Sequence, residues 1–259
     1  MVNFPNSIVP HATEFMAQNI PFARYYCSLT MEDIDRYRKS NIFPDGAEIS
    51  GCDFYFRPDF ISPVWVAFPE YPFLLGLKFP FTGVIEEFFS KTGIPYIQTT
   101  PWVWRVLHWI NLLNEDKGMN VGLEEIASVY DIKPLRSFWF MLKRKPGRTP
   151  LVEDFTQEDG LWKEKFFFVK RNTIPFGEVL PMEWIQEGLS VLSQFLSFSS
   201  IDFIFSCFTV PKFGDIAPVS SDTMLKVQQF LALPLLDRTF SLQPVNFSNG
   251  SPCDESVDG

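Results

Sequence analysis

The chain has 259 residues, of which 46% are hydrophobic and 17% aromatic, and it carries a formal net charge of −9. This composition excludes an intrinsically disordered chain, and the length suits one large domain or two modest ones with a substantial core. An acidic chain repels phosphate backbones, so nucleic-acid binding over the whole surface is not expected. Only residues 61–150 carry a small basic excess, because the acidic residues are concentrated in 151–259.

The cysteines and the chain start bear on the compartment. Cys27, Cys52, Cys207 and Cys253 lack zinc-site spacing, so free thiols in a reducing compartment are expected. The first residues lack the basic and apolar regions of a signal peptide, which predicts an intracellular protein, nuclear or cytoplasmic. Residues 189–210 are apolar but are interrupted by serines and an aspartate, so they are predicted to be buried in a core and not in a membrane.

Residues 1–60 are predicted to form an irregular lead-in with one short helix. Thr30 and Asp33 have capping-box spacing, and the helix that follows is predicted to reach Lys39. The stretch 49–72 is rich in proline and aromatic residues, which predicts a loop with short extended pieces.

The middle of the chain has the clearest helical periodicity. Apolar residues recur at helical spacing over 81–89, with Gly93 as the predicted C-terminal cap. A second helix is predicted to begin after Thr100, with Pro101 at its first position. Its apolar face is formed by Val103, Val106, Leu107, Ile110 and Leu113, and is flanked by Trp102 and Trp109. A third helix is predicted over residues 123–130.

Two aromatic runs, 137–142 and 165–170, are predicted to be strands that pair as a small antiparallel sheet. Helices are predicted to resume over 181–195 and 221–232, and residues 243–259 have the composition of a disordered tail. The predicted fold class is therefore mainly α with a small antiparallel β element (α+β): a helical domain at 61–175, a helical extension packing on it at 176–242, and a disordered C-terminal tail at 243–259.

Three sequence motifs occur in order between residues 64 and 172. The first is Gly-Leu-Lys-Phe-Pro-Phe at 76–81, the second is Pro-Trp-Val-Trp-Arg at 101–105, and the third is Leu-Trp-Lys-Glu-Lys-Phe-Phe-Phe-Val at 161–169. With these motifs, the chain resembles the plant gypsy-type transposon domain family, which is encoded by retroelements or their relics. The matching positions are Gly76, Leu77, Phe79, Pro80, Pro101, Trp104, Arg105, Trp162, Lys163, Phe166, Phe167, Phe168 and Val169.

The resemblance implies a non-catalytic, retrotransposon-derived protein, gag-like or domesticated, that acts by association with protein partners or with itself. The motif residues are then expected to be structural. No catalytic residue, cofactor, metal ligand or small-molecule substrate is predicted, because retroelement protease, polymerase and zinc-knuckle signatures are missing from the sequence. His11 is interpreted as a solvated side chain and His108 as a packed or surface side chain, and the pairs Glu86–Glu87 and Glu124–Glu125 are interpreted as solvated helix faces.

Two alternatives remain open. One is a nuclear nucleic-acid-binding accessory protein that uses the basic cluster Lys143, Arg144, Lys145 and Arg148, although a solvated turn is the favoured interpretation of that cluster. The other is a decayed enzyme fragment whose residues meet only in three dimensions. For an assembly surface, the candidates are Tyr71, Phe73 and the rings between Phe203 and Phe213.

Overall fold

A computed structural model describes residues 26–51, 58, 64–135, 139–153, 160–175 and 220–234. Six α-helices lie in these ranges: Met31–Lys39 (α1), Tyr71–Leu74 (α2), Gly83–Thr92 (α3), Pro101–Lys117 (α4), Leu123–Val129 (α5) and Ser221–Leu231 (α6). The strands are Ile49–Ser50 (β1), Trp65–Pro69 (β2), Tyr130–Pro134 (β3), Phe140–Arg144 (β4) and Phe166–Lys170 (β5). Single 3₁₀ turns cover Tyr96–Gln98, Trp162–Glu164 and Arg171–Thr173. The predicted α+β class is confirmed.

Helix α1 begins where the capping-box spacing predicts. The Asp33 amide donates to Thr30 Oγ1 at 3.2 Å, and the Thr30 amide donates to Asp33 Oδ2 at 2.9 Å. These two bonds satisfy amide groups that the first turn of a helix leaves unpaired. The helix ends at Lys39, as predicted, and buries Ile34 and Tyr37.

Helices α3 and α4 pack against each other and begin near the predicted residues. Gly93 ends α3 in the left-handed conformation, and Pro101 is the first residue of α4 after the N-cap Thr100. The Thr100 side chain, however, makes no capping hydrogen bond. The first residue of α3 has to be glycine. A Cβ on Gly83 would lie 2.1 Å from Asn111 Oδ1 on α4, and its φ of 64° is unfavourable for other residues.

The predicted pairing of the strands at 137–142 and 165–170 is wrong. Strand β4 pairs antiparallel with β3, which continues directly from α5, and β5 lies between β1 and β2 in a separate three-stranded antiparallel sheet. Hairpin pairing needs only the short connection after Pro134 and is therefore favoured over a distant strand. Strands β1 and β2 are extended pieces within the stretch predicted as a loop with short extended pieces, but helix α2, which begins there, was not predicted. Tyr130 belongs to β3 and not to the helix predicted over 123–130.

Strand β5 divides the core into two clusters. Phe167 and Val169 point into the main cluster, whereas Phe166 and Phe168 point into a smaller one with Trp139. This alternation follows from the two-residue repeat of a strand. Because all four side chains are buried, β5 is covered on both faces. Strand β1 lies in the predicted lead-in and pairs with β5, so both segments contribute to one sheet.

Helix α6 packs chiefly on α5. It is the helix predicted over 221–232, and it ends at Leu231. Val227 and Phe230 enter the main core cluster. The predicted helix at 181–195, the apolar run 189–210 and the predicted tail at 243–259 lie outside the described residues. Within the described ranges, no helix is long and apolar enough to cross a bilayer.

Truncation of Phe167, which lies in the main core cluster, is expected to destabilise the fold strongly. Phe167→Ala is expected to lower the free energy of unfolding by about 3–5 kcal/mol, because it leaves a cavity among rings stacked around it. Urea unfolding followed by circular dichroism measures the change. Leu161→Ala is the matched control, since Leu161 is exposed and its truncation is expected to cost less than about 0.5 kcal/mol. Equal losses in the two variants would contradict this description of the core.

Candidate protein-interaction face

Helix α4 carries a row of large side chains on one face. Trp102, Arg105, Trp109 and Leu112 are separated by three, four and three residues, which places them on one side of an α-helix. Trp102 and Trp109 are half-buried against the main core, and Leu112 is 37% exposed. The row therefore combines a buried cation with half-buried rings and ends at an exposed leucine.

Arg105 lies between two aromatic rings. Its guanidinium carbon is 5.8 Å from the ring centroid of Tyr71 on α2 and 5.8 Å from that of Trp102. Arg105 is only 4% exposed. A buried cation is costly unless its surroundings compensate, and the faces of aromatic rings supply part of that compensation. The flat guanidinium also stacks on rings in a way that the ammonium group of lysine cannot.

His108 follows Arg105 by one helical turn and is partly buried. Its Nδ1 is buried and has no hydrogen-bond partner among the described residues. Burial lowers the pKa of His108 to about 4, so the imidazole is neutral at pH 7. This agrees with the interpretation of His108 as a packed side chain.

We define the aromatic face by five residues on α2 and α4: Tyr71, Leu74, Trp102, Trp109 and Leu112. Tyr71, Trp102 and Trp109 are half-buried, and the two leucines are exposed. Leu74 follows Tyr71 by three residues on α2, which packs on α4. Large apolar side chains grouped in this way are typical of surfaces that bind other proteins.

The sequence-based candidates for an assembly surface are only partly placed on this face. Tyr71 belongs to the aromatic face, but Phe73 is fully buried in the main core, so its assignment to a surface was wrong. In the short helix α2 the two side chains point in different directions, which composition alone did not reveal. The rings between Phe203 and Phe213 lie outside the described residues.

Aromatic residues of the three sequence motifs meet in the core. The rings of Phe79 and Phe81 from the first motif are 5.5 Å apart, and Phe81 lies 5.1 Å from Trp104 of the second motif. Phe43 joins the first motif to the third, with its ring 5.5 Å from Phe79 and 6.0 Å from Phe167. Leu77, Trp162 and Lys163 are half-buried, and Gly76 and Pro80 are exposed; the remaining motif residues, namely Pro101, Arg105, Phe166, Phe168 and Val169, are buried.

The basic cluster lies at the end of the β3–β4 hairpin. Lys143, Arg144 and Arg148 are exposed. Lys145 instead caps α5: its Nζ donates to the Ala127 carbonyl at 2.5 Å, and its amide donates to the carbonyl of the last residue of α5 at 2.8 Å. A cation is favoured at the C-terminal end of a helix. Lys145 therefore has a structural side-chain hydrogen bond, which is not among the described interactions of the other three residues.

The interpretation of the acidic pairs as solvated faces is wrong for Glu125. Glu86 is exposed and Glu87 contacts Lys91 at 3.1 Å, as expected for a helix surface. Glu125, in contrast, is 2% exposed; its Oε2 accepts the Gly122 amide at 2.7 Å, and its Oε1 lies 3.5 Å from Lys226 Nζ. This burial arises from contact with α6.

A second buried carboxylate, Glu70, joins α1 to the end of β2. The Tyr37 hydroxyl donates to Glu70 Oε1, and both side chains are buried. Burial raises the pKa of Glu70, and burial beside this carboxylate raises the pKa of Tyr37 as well. The Arg36 guanidinium lies 5.3 Å from the Tyr37 ring centroid. The sequence offered no signal for this pair, because Tyr37 and Glu70 lie on distant elements.

Among the residues that the structure describes, no three His, Cys, Asp or Glu side chains are grouped so that they could hold a metal ion. Comparisons of the chain with models of protein families, with curated proteins and with solved structures found no match.

The buried imidazole of His108 predicts a pH dependence of stability. Its folded pKa of about 4 lies below the ordinary value of 6.5, so the unfolded chain binds the proton first as the pH falls. The contribution of neutral His108 to the free energy of unfolding is fully present above pH 6.5. As the pH falls towards 4, this contribution decreases by at most about 1.4 kcal/mol per pH unit. His108→Leu is expected to flatten this decline in urea unfolding.

The chain has only one other histidine, His11, so His11→Leu is the matched control. A decline that persists unchanged in His108→Leu, or that disappears in His11→Leu, would show that His108 is not its source.

Proposed function

We propose that the chain is a non-catalytic, retrotransposon-derived protein, gag-like or domesticated, whose role is to associate with protein through the aromatic face. The observation that carries the proposal is the contact of Arg105 with the rings of Tyr71 and Trp102, with Trp109 further along the same side of α4 and with Leu74 and Leu112 exposed. Tryptophan, tyrosine and arginine are the residues most enriched among those that dominate binding energy at protein interfaces.

The half-buried state of the rings favours binding. Side chains already held against the core lose little conformational freedom when a partner covers them. Covering their remaining apolar surface contributes about 25 cal/mol per Å². Arg105 also holds the rings of Tyr71 and Trp102 on either side of its guanidinium, so the face is ordered before a partner arrives.

The retroelement origin is supported by the placement of the motifs. Residues of all three motifs lie within one connected set of aromatic rings, which is expected if the resemblance concerns a common scaffold. Arg105 belongs both to the second motif and to the surroundings of the aromatic face. Half-buried Cys27 is a thiol that donates to the Phe166 carbonyl at 2.9 Å, which accords with the nuclear or cytoplasmic location proposed for such a protein.

Nucleic-acid binding remains a second candidate. Lys143, Arg144 and Arg148 are exposed together at one end of the β3–β4 hairpin, where they could contact a phosphate backbone. The overall negative charge weighs against it, so the aromatic face is preferred.

The aromatic face predicts that truncating its exposed half weakens association. In Trp109→Ala/Leu112→Ala, self-association or the binding of a captured partner is expected to fall at least about tenfold, because residues of this kind contribute more than about 1 kcal/mol each. Light scattering across a concentration series and chemical crosslinking measure self-association. Capture from plant extract, quantified for each variant, measures partner binding.

The matched control is Leu161→Ala/Leu225→Ala, which removes two exposed leucines from elsewhere on the surface. It is expected to associate as the unmodified chain does. A strict monomer at high concentration that recovers no partner, or equal losses in both double variants, would contradict the proposal.

The basic cluster is tested separately with Lys143→Ala/Arg144→Ala/Arg148→Ala. Lys145 is kept because it caps α5, so that a loss of binding is not a loss of folding. If the second candidate is correct, affinity for DNA or RNA falls and its salt dependence becomes shallower, since about one released counterion is lost per phosphate contact. Filter binding between 50 and about 200 mM salt measures this. Lack of binding at low salt excludes the candidate.

A further inference from the structure

Helix α6 is bound to α5 as an amphipathic helix binds a groove. Thr223, Val227 and Phe230 are its buried residues, at spacings of four and three, and Val227 and Phe230 enter the main core cluster. Residues spaced in this way form one face of a helix, which is the recognition pattern of a helix held in a groove. Leu225 points to solvent on another face.

Polar contacts at the rim fix the position of α6. The Thr223 hydroxyl donates to Glu124 Oε2 at 2.8 Å, and Lys226 Nζ lies 3.5 Å from Glu125 Oε1. Glu125 is 2% exposed, and its Oε1 has no hydrogen-bond partner among the described residues, so Lys226 is the cation that offsets this buried charge. The α5 surface is therefore incomplete without a helix that supplies a lysine here.

Thr223, Val227, Phe230 and Lys226 are present in every copy of the chain. We propose that α6 of a second copy takes the place of a chain's own α6 on α5, so that two chains associate by exchanging this helix. The inference goes beyond the proposed function and names a second copy as the partner. It uses the α5–α6 contact and is independent of the aromatic face.

The length of chain before α6 permits the exchange. Residues 176–219, which are 44 residues, join the described segment ending at 175 to the one beginning at 220. A chain of that length reaches at most about 150 Å, whereas a compact chain of this size has a radius of gyration of about 18 Å. Exchanged and unexchanged forms make the same helix–groove contacts, so their balance depends on chain concentration.

The exchange is tested first on the unmodified full-length chain. Two pools that carry different fluorophores are unfolded, mixed and refolded at about 5 μM and at about 500 μM, because a second copy competes better with the tethered helix as the chain concentration approaches the roughly millimolar effective concentration of a tethered segment. Energy transfer and light scattering are expected to show a mixed dimer at the higher concentration, at least ten times more abundant than at the lower one. The dimer is expected to be absent in Phe230→Ala.

A charge exchange identifies the contact. In Lys226→Glu and in Glu125→Lys, each chain repels its own α6, but mixing the two variants restores an opposite-charge pair at both α5–α6 contacts of a dimer. The mixture is expected to form at least tenfold more dimer than either variant alone. The matched control is the double variant Glu125→Lys/Lys226→Glu, which restores the pair within one chain and is expected to behave as the unmodified chain.

Each result decides the inference. A dimer that persists in Phe230→Ala, or two folded charge variants that stay monomeric when mixed, overturns it. If Glu125→Lys fails to fold by circular dichroism, the refolding comparison with Phe230→Ala decides alone. In Trp109→Ala/Leu112→Ala the exchange is expected to persist, so failure of the aromatic face and failure of the exchange are distinguishable.

Discussion

Strand β5 needs apolar cover on both faces, and most of the described fold supplies that cover. Four consecutive apolar residues, 166–169, give the strand two buried faces where an exposed sheet would have one. On one side the Phe167 ring stacks on Tyr37 of α1 at 5.2 Å and lies 5.5 Å from Phe73 of α2. On the other side, Phe166 and Phe168 pack with Trp139 and Ile97. Helices α1 and α2 therefore pack on one face of β5, and Trp139, next to strand β4, packs on the other face.

Polar groups in this core lie where elements join. Glu70 follows β2 and accepts a hydrogen bond from the Tyr37 hydroxyl of α1. Glu125 lies in the first turn of α5 and faces Lys226 of α6. A buried carboxylate is costly without a donor or a cation, so each of these positions is stable only when the second element is in place. The hydrophobic clusters supply most of the free energy, and the polar pairs select which elements meet.

Local patterns in the sequence were sufficient for the elements whose ends have chemical signals. Thr30 with Asp33, Gly93 and Pro101 mark helix ends that the structure also has, because capping depends on residues within one turn. Helix α2 was not predicted, because its four residues and the prolines around them resemble loop composition. Strand pairing was mispredicted because two aromatic runs offer no local signal that one pairs with β3 and the other with β1 and β2.

The aromatic face was predictable in part. The spacing of Trp102 and Trp109 placed them beside the apolar face of α4, but the position of Arg105 between Tyr71 and Trp102 depends on α2, which the sequence did not reveal. Glu125 shows the same limit more sharply. Its neighbours in sequence indicate an exposed first turn, yet its side chain is buried and faces Lys226, on a helix about a hundred residues later.

The contrast between the two candidate surfaces follows from how each is completed. On the aromatic face, Arg105 already lies between its rings within one chain, so a partner would add apolar cover to a surface that is ordered without it. On α5, the buried Glu125 charge and the core positions of Val227 and Phe230 require a helix at all times. The aromatic face can therefore be stable without a partner, whereas the α5 surface must always carry a helix. Whether that helix belongs to the same chain or to a second copy then depends on the chain concentration and on the length of the connecting segment.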